Sequence, residues 1–120
     1  MADHNALGQQ GEALAREHLE QKGHRILEVN WRHGKQEVDI ISEVDGTIVF
    51  TEVKTRENDY LGPPESWVTL RKQAHLIKAA DAYLRALVEI REARFDIVGI
   101  ILNAREQRVH HLEDAFQPRW

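Results

Sequence analysis

The stretch from Glu37 to Lys54, EVDIISEVDGTIVFTEVK, constrains the fold more than any other part of the chain. Two runs of strand-forming residues, Glu37 to Ser42 and Thr47 to Thr55, flank Asp45-Gly46. That dipeptide suits a two-residue hairpin turn because both positions tolerate positive φ. The turn sets the register, pairing Val44 with Thr47, Ile41 with Phe50, Asp39 with Glu52 and Glu37 with Lys54. The last three pairs point to one face because side chains alternate along a strand. Directly opposed residues have Cβ atoms roughly 4.5–5.5 Å apart, so the hairpin forces two carboxylates together.

Like charges opposed on a strand pair are unfavourable, and a hairpin built only for stability has no reason to carry them. Lys54 supplies a positive charge on the same face, but one ammonium is a single point of charge among Asp39, Glu52 and Glu37. A hard divalent cation fits the oxygen donors better, and Mg²⁺ typically takes one or two carboxylates while keeping several waters. The competing reading is a solvated hairpin with a surface salt bridge worth about 0–1 kcal/mol. The apolar Ile41, Ile48 and Phe50 on that face weigh against it.

Asp39, followed after twelve intervening residues by Glu52-Val53-Lys54, resembles the metal-dependent nuclease signature PD-(D/E)xK. QEVDII, VFTEVKTR, the LGPP segment and RFDIV together resemble the YraN family, an uncharacterised bacterial family similar to archaeal Holliday junction resolvases. The likeness spans about Leu7 to Phe116. It implies a restriction-endonuclease-like fold and a site of Asp39, Glu52 and Lys54 holding Mg²⁺ or Mn²⁺, with the Val53 carbonyl as a further ligand. In such families an acid on the first helix joins the metal site, and Glu12 matches that position. One departure is Gln36, where the family usually has Gly before the Glu-apolar-Asp unit.

The chain has 120 residues, which fits one domain over its whole length. Its 16 Lys and Arg against 20 Asp and Glu give a net charge of −4, so nucleic-acid binding must come from a local basic surface rather than a general excess. Without cysteine, disulfides and thiolate metal sites are excluded, leaving oxygen or histidine ligands. MADHNALG lacks the basic and apolar regions of a signal peptide, and no run of some 18 apolar residues occurs. The expectation is a cytoplasmic protein with no membrane partner.

Helical spacing runs from about Ala6 to Lys22, with Leu7, Gly11, Leu14, Ala15 and Leu19 on one stripe and Gly23 as the stop. Glu12 lies about 20° from Leu19 on the helical wheel and is the acid best placed to look inward, unless it is a boundary residue with its head in water. His24 to Val29 reads as a strand, and NWRHGKQ as a basic loop whose Trp31 either stacks on a base or tucks in. The stretch RENDYLGPPES, from Arg56 to Ser66, is irregular: a substrate clamp or a connector.

Thr69 caps a helix reaching about Leu87, with Leu70, Ala74, Ile77, Ala80, Leu84 and Leu87 as the expected core stripe. On its other face Arg71, His75, Lys78 and Arg85 fall within about 80°, flanked by Lys72. Nucleic-acid contacts are expected from Arg56, Arg71, Lys72, His75 and Lys78, though charged helix faces commonly do nothing but stay wet. Arg94 to Leu102 and Gln107 to Leu112 read as two more strands, with Asp96 structural, pairing with Arg94 or a helix end. His110 and His111 point to opposite faces and do not form a joint metal site.

The resulting order αβββαββ is that of an α/β sandwich, a mixed central β-sheet with an antiparallel hairpin flanked by helices. The charged hairpin face is expected to meet the first helix, bringing Glu12 to Asp39 and Glu52. With the resemblance, this implies a metal-dependent nuclease acting on nucleic acid, foremost DNA, extending to branched or junction substrates. Glu37 is then a partner for Lys54 or a ligand, and a homodimer would suit a symmetric junction. The alternatives are a catalytically silent nucleic-acid-binding module of the same fold, or a protein-interaction domain.

Overall fold

Five strands form one sheet in the order β1-β2-β3-β4-β5. In this computed structural model, which describes residues 4–118, the elements are α1 (His4–Gln21), β1 (Arg25–His33), β2 (Gln36–Val44), β3 (Thr47–Arg56), a 3₁₀ turn (Pro64–Trp67), α2 (Leu70–Arg85), β4 (Ala93–Leu102) and β5 (Gln107–Phe116). The order αβββαββ is the expected one. Arg119 and Trp120, anticipated with Pro118 as a loose end, lie outside the described residues.

Every neighbouring pair is antiparallel except β3 and β4, which run parallel. A parallel pair needs a crossover rather than a hairpin, and α2 supplies it. The central hairpin turns where the sequence requires it, with Asp45 and Gly46 both at positive φ, 50° and 81°. Its register runs from Val44 opposite Thr47 to Ile40 opposite Thr51.

Alternation along the strands divides the core in two. On the α2 side lie Val38, Ile41, Ile48, Phe50, Leu76, Ala79, Ala80, Phe95 and Ile97, and on the α1 side Ala15, Leu19, Ile40, Val53, Val98 and Ile100. α1 seats on β3 through Gly11. A Cβ there would stand 1.8 Å from Thr55 Oγ1 and 2.9 Å from Thr55 Cβ, and rotating the threonine cannot clear the second contact.

Three expectations are corrected. NWRHGKQ is not a loop, because β1 continues through His33 and turns to β2 over Gly34-Lys35 alone. Trp31 is tucked, edge-to-face on Tyr83 with centroids 5.2 Å apart. The buried stripe of α2 holds at Ala80, with Ile77, Leu84 and Leu87 packed on the core, but it is centred on Leu76, Ala79 and Ala80, while Leu70 and Ala74 are exposed. The line through Leu76 begins at Lys72 and Gln73, whose polarity hid it from an apolar count. Finally, β5 extends beyond Leu112 to Phe116.

A polar cluster secures the sheet beside α1. Asp96, fully buried, accepts from Arg94 Nε (2.9 Å), Arg94 Nη2 (2.8 Å) and the Asp114 N–H (3.0 Å), and contacts His111 Nε2 at 2.7 Å. Burial pushes its carboxyl up, but these hydrogen bonds outweigh burial and hold it down at about 2. His111 Nδ1 reaches His18 Nε2 on α1 at 3.2 Å. The cluster is structural, as expected of Asp96, and its partner is Arg94.

Gly11→Ala is expected to lower stability in denaturant unfolding by about 1–3 kcal/mol, the usual cost of overpacking. That loss arises even though alanine gains about 1 kcal/mol over glycine in a helix interior. A neutral or stabilising result would mean that α1 is not seated on Thr55.

Candidate functional site

Glu52 is 3 % exposed in the middle of β3. Its side chain lies on the α2 side of the sheet, level with Ile97 of the parallel neighbour β4. Two ammonium groups approach Glu52 Oε2 without closing a hydrogen bond: Lys54 Nζ at 3.8 Å and Lys72 Nζ at 3.9 Å. Glu52 Oε1 is fully buried and has no hydrogen-bond partner among the described residues. Leaving a buried polar atom unpaired costs about 1–3 kcal/mol.

Asp39 stands beside it. Its Oδ2 accepts the Val53 N–H at 2.8 Å, so a side chain takes a backbone donor just past the last hairpin pair, Ile40 and Thr51. The two carboxyl groups are close enough to shift each other's hold on a proton. Burial, then the Asp39 charge, pushes Glu52 up to about 8. Asp39 is raised too, by burial, against the lowering effect of the Val53 N–H.

Glu12 comes within electrostatic range of Asp39 from α1. Its carboxyl is raised first by burial and next by the charge of Asp39, while a hydrogen bond with Asn30 lowers it. Asn30 sits in β1 at φ 53°, a left-handed conformation that asparagine tolerates better than most residues. Sequence reasoning passed over it, although an Asn inside a strand-forming run was a signal.

The expected meeting of the charged hairpin face with α1 needs correcting. Glu52 and Lys54 face α2 and the 3₁₀ turn, whereas α1 packs on the opposite face, through Val53 and Ile40. Glu12 nears Asp39 because the regular hairpin pairing stops at Ile40, which releases Asp39 from strict alternation. Glu37 does not oppose Lys54 as the register implied, since it is drawn to Arg32 on β1, with Nε 3.1 Å from its carboxylate. Lys72, expected to flank an outer basic ridge, points in toward Glu52. Arg71, His75 and Lys78 are exposed on the ridge, and Arg85 pairs with Asp81 at 2.8 Å.

Among the described residues no three carboxylates or histidines are grouped as a finished metal site. The donor set nonetheless fits a hard divalent cation. Asp39 and Glu52 are two adjacent carboxylates, the unpartnered Oε1 is an open ligand atom, and a raised Glu52 proton is one that a cation would displace.

The fold and this site define a mixed α/β protein with a buried carboxylate pair and two lysines on its central hairpin. Residues 11–100 match the family described as "Uncharacterised protein family UPF0102". The chain is 42% identical to a UPF0102 protein of Christiangramia forsetii, over 97% of this chain and 98% of that one. It is 43% identical to one from Flavobacterium johnsoniae, again over 97% and 98%, and 41% identical to one from Chlorobium phaeobacteroides, over 97% of each. The chain belongs to the UPF0102 family, also called YraN.

A carboxyl raised in the folded chain binds its proton more tightly there than when unfolded. Glu52 therefore makes folding less favourable as pH climbs from 4.5 toward about 8. Glu52→Gln should raise the thermal midpoint in EDTA, by more at about pH 8.5 than at about pH 5. A midpoint that falls equally at both pH values would identify Glu52 as a structural anchor.

Proposed function

We propose that this protein is a divalent-metal-dependent nuclease that hydrolyses nucleic-acid phosphodiesters, on the restriction-endonuclease-like plan that its order of elements and its Asp39, Glu52-Val53-Lys54 spacing resemble. The observation that carries the reading is the buried Asp39–Glu52 pair with Oε1 unpartnered and two lysines just beyond hydrogen-bond distance. A purely structural pair would be expected to close those contacts, as Asp96 does.

Asp39, Glu52, the Val53 carbonyl and Glu12 are the residues that would hold Mg²⁺ or Mn²⁺. When bound, the ion supplies charge neutralisation at the scissile phosphate and lowers the pKa of a water. The chain's own groups do the rest. The Val53 N–H fixes the Asp39 carboxylate, so one ligand is oriented before anything binds. Lys54, partly exposed beside Glu52, would orient the attacking water and meet the negative charge that develops on the phosphorane. Lys72 balances the second carboxylate charge from the first turn of α2. The exposed Arg71, His75 and Lys78 continue outward from Lys72 as a surface for phosphates, which gives a net-acidic protein a local basic track.

Lys54→Ala separates this reading from a salt bridge. It removes a cation that competes for Glu52, so calorimetric titration should show Mn²⁺ affinity unchanged or higher. Single-turnover cleavage should nevertheless fall by about 100-fold or more, the scale of losing one donor to a developing anion. Absence of Mn²⁺ binding in both proteins would end the nuclease proposal.

A second measurement addresses the track. Arg71→Glu combined with Lys78→Glu should weaken duplex binding and flatten the plot of log affinity against log salt, by about 0.9 for each phosphate the protein no longer neutralises. An unchanged slope would assign the ridge to solvent.

A further inference from the structure

We propose that the cavity next to the carboxylate pair receives one unpaired nucleobase, so that the preferred substrate carries single-stranded or extruded nucleotides beside the scissile phosphate. The chemistry of that phosphate rests on the nuclease reading above; the binding of the base does not.

The cavity has a volume of about 760 Å³, with Leu7, Gln10, Arg56, Leu61, Trp67 and Thr69 among its walls. That size lies within the roughly 300–1,000 Å³ of ligand sites. Its place follows from β3. Lys54 belongs to the carboxylate site and Arg56, two residues on, belongs to the cavity, about 6.6 Å further along an extended strand. α2 makes the same connection: Thr69 lines the cavity and caps the helix by accepting the Lys72 N–H at 3.1 Å, and Lys72 reaches Glu52. A group held in the cavity is therefore attached within about one nucleotide of the carboxylates.

The walls suit a base. Trp67 is seated because the 3₁₀ turn rests on Gly99, where a Cβ would stand 2.4 Å from Pro64 Cβ. Its indole N–H donates to the Gly62 carbonyl at 3.0 Å, which fixes the ring and leaves an apolar surface. The Arg56 guanidinium lies 5.6 Å from the ring centroid, and among the described residues it has no carboxylate partner. Arginine beside an aromatic ring is the arrangement on which bases stack while the cation meets a phosphate.

Gln10 contributes a side-chain amide that none of the described residues engages; it offers a donor and an acceptor to a base edge. Leu61, 98 % exposed, adds an apolar edge to the cavity. A base still paired in a duplex cannot enter a cavity walled by α1, β3 and the 3₁₀ turn, which is why the occupant must be unpaired.

The experiment measures binding of a labelled oligodeoxythymidylate, and of a blunt duplex of equal length, to the full chain in EDTA, with Mn²⁺-dependent cleavage of both followed in parallel. Wild type should prefer the single strand. Leu61→Asp and Gln10→Glu, both at exposed positions, should each reduce single-strand affinity by about 5- to 150-fold, the range that one stacked base spans. The thermal midpoint should stay level, and Trp67→Phe should retain more affinity than Trp67→Leu. Single-strand binding that depends on the cavity without any cleavage would retire the nuclease reading and keep the cavity. Cleavage of blunt duplex at the single-strand rate, unaffected by Leu61→Asp, would overturn the cavity proposal and keep the nuclease.

Discussion

The site depends on an interruption of strand alternation at Asp39. Val38 and Ile41 belong to the same apolar cluster on the α2 side, although residues three apart in a regular strand face opposite ways. Their β1 partners, Trp31 and Glu28, flank Asn30, which takes a left-handed φ of 53° at the level of Asp39. Both strands thus shift phase at the same level, as strands do at bulges beside functional sites. A hairpin in strict alternation would leave Asp39 paired, on one face only. The interruption ends its pairing with β3, lets its carboxylate take the Val53 N–H, and brings it within range of Glu12 from the other layer.

The two buried acidic centres show what that arrangement costs. Asp96 and Glu52 are both nearly inaccessible, and burial alone raises both. Asp96 gathers a bidentate arginine, a histidine and a backbone N–H, and ends at about 2. Glu52 gathers two distant ammonium groups and a second carboxylate, and ends at about 8. The difference lies in the hydrogen bonds rather than in burial. An acid with its bonds closed holds a fold together, while one left open beside another acid favours an added positive charge, and such perturbed groups concentrate at functional sites.

Much of this was legible in the sequence because the central hairpin announces itself locally. Asp45-Gly46 fixes the turn, the turn fixes the register as far as Ile40, and the register puts Asp39 near Glu52. The face assigned to α1 was not legible, since periodicity of two carries no mark of a phase shift. Trp31 illustrates the same limit: NWRHGKQ has loop composition, yet pairing with β2 recruits it into a strand whose turn is only Gly34-Lys35. Lys72 was misplaced for a different reason. Its position, four residues before the buried Leu76, was readable, but a lysine in a core line looks like surface until an acid is known to lie beneath it.

The alternation that fails at Asp39 holds along the end of β3, and that regularity ties fold to site. Val53 and Thr55 face α1, one inside its apolar cluster and the other against the helix where only glycine fits. Glu52, Lys54 and Arg56 face the other way, toward Lys72, toward Gly99 where the 3₁₀ turn is seated, and onto Trp67. A shift of β3 by one residue would bury two cations under α1 and turn Val53 and Thr55 to the other face, at several kcal/mol for each uncompensated charge. The packing of α1 thus fixes the phase of β3, and that phase is what lines up carboxylate, ammonium and guanidinium in a single row.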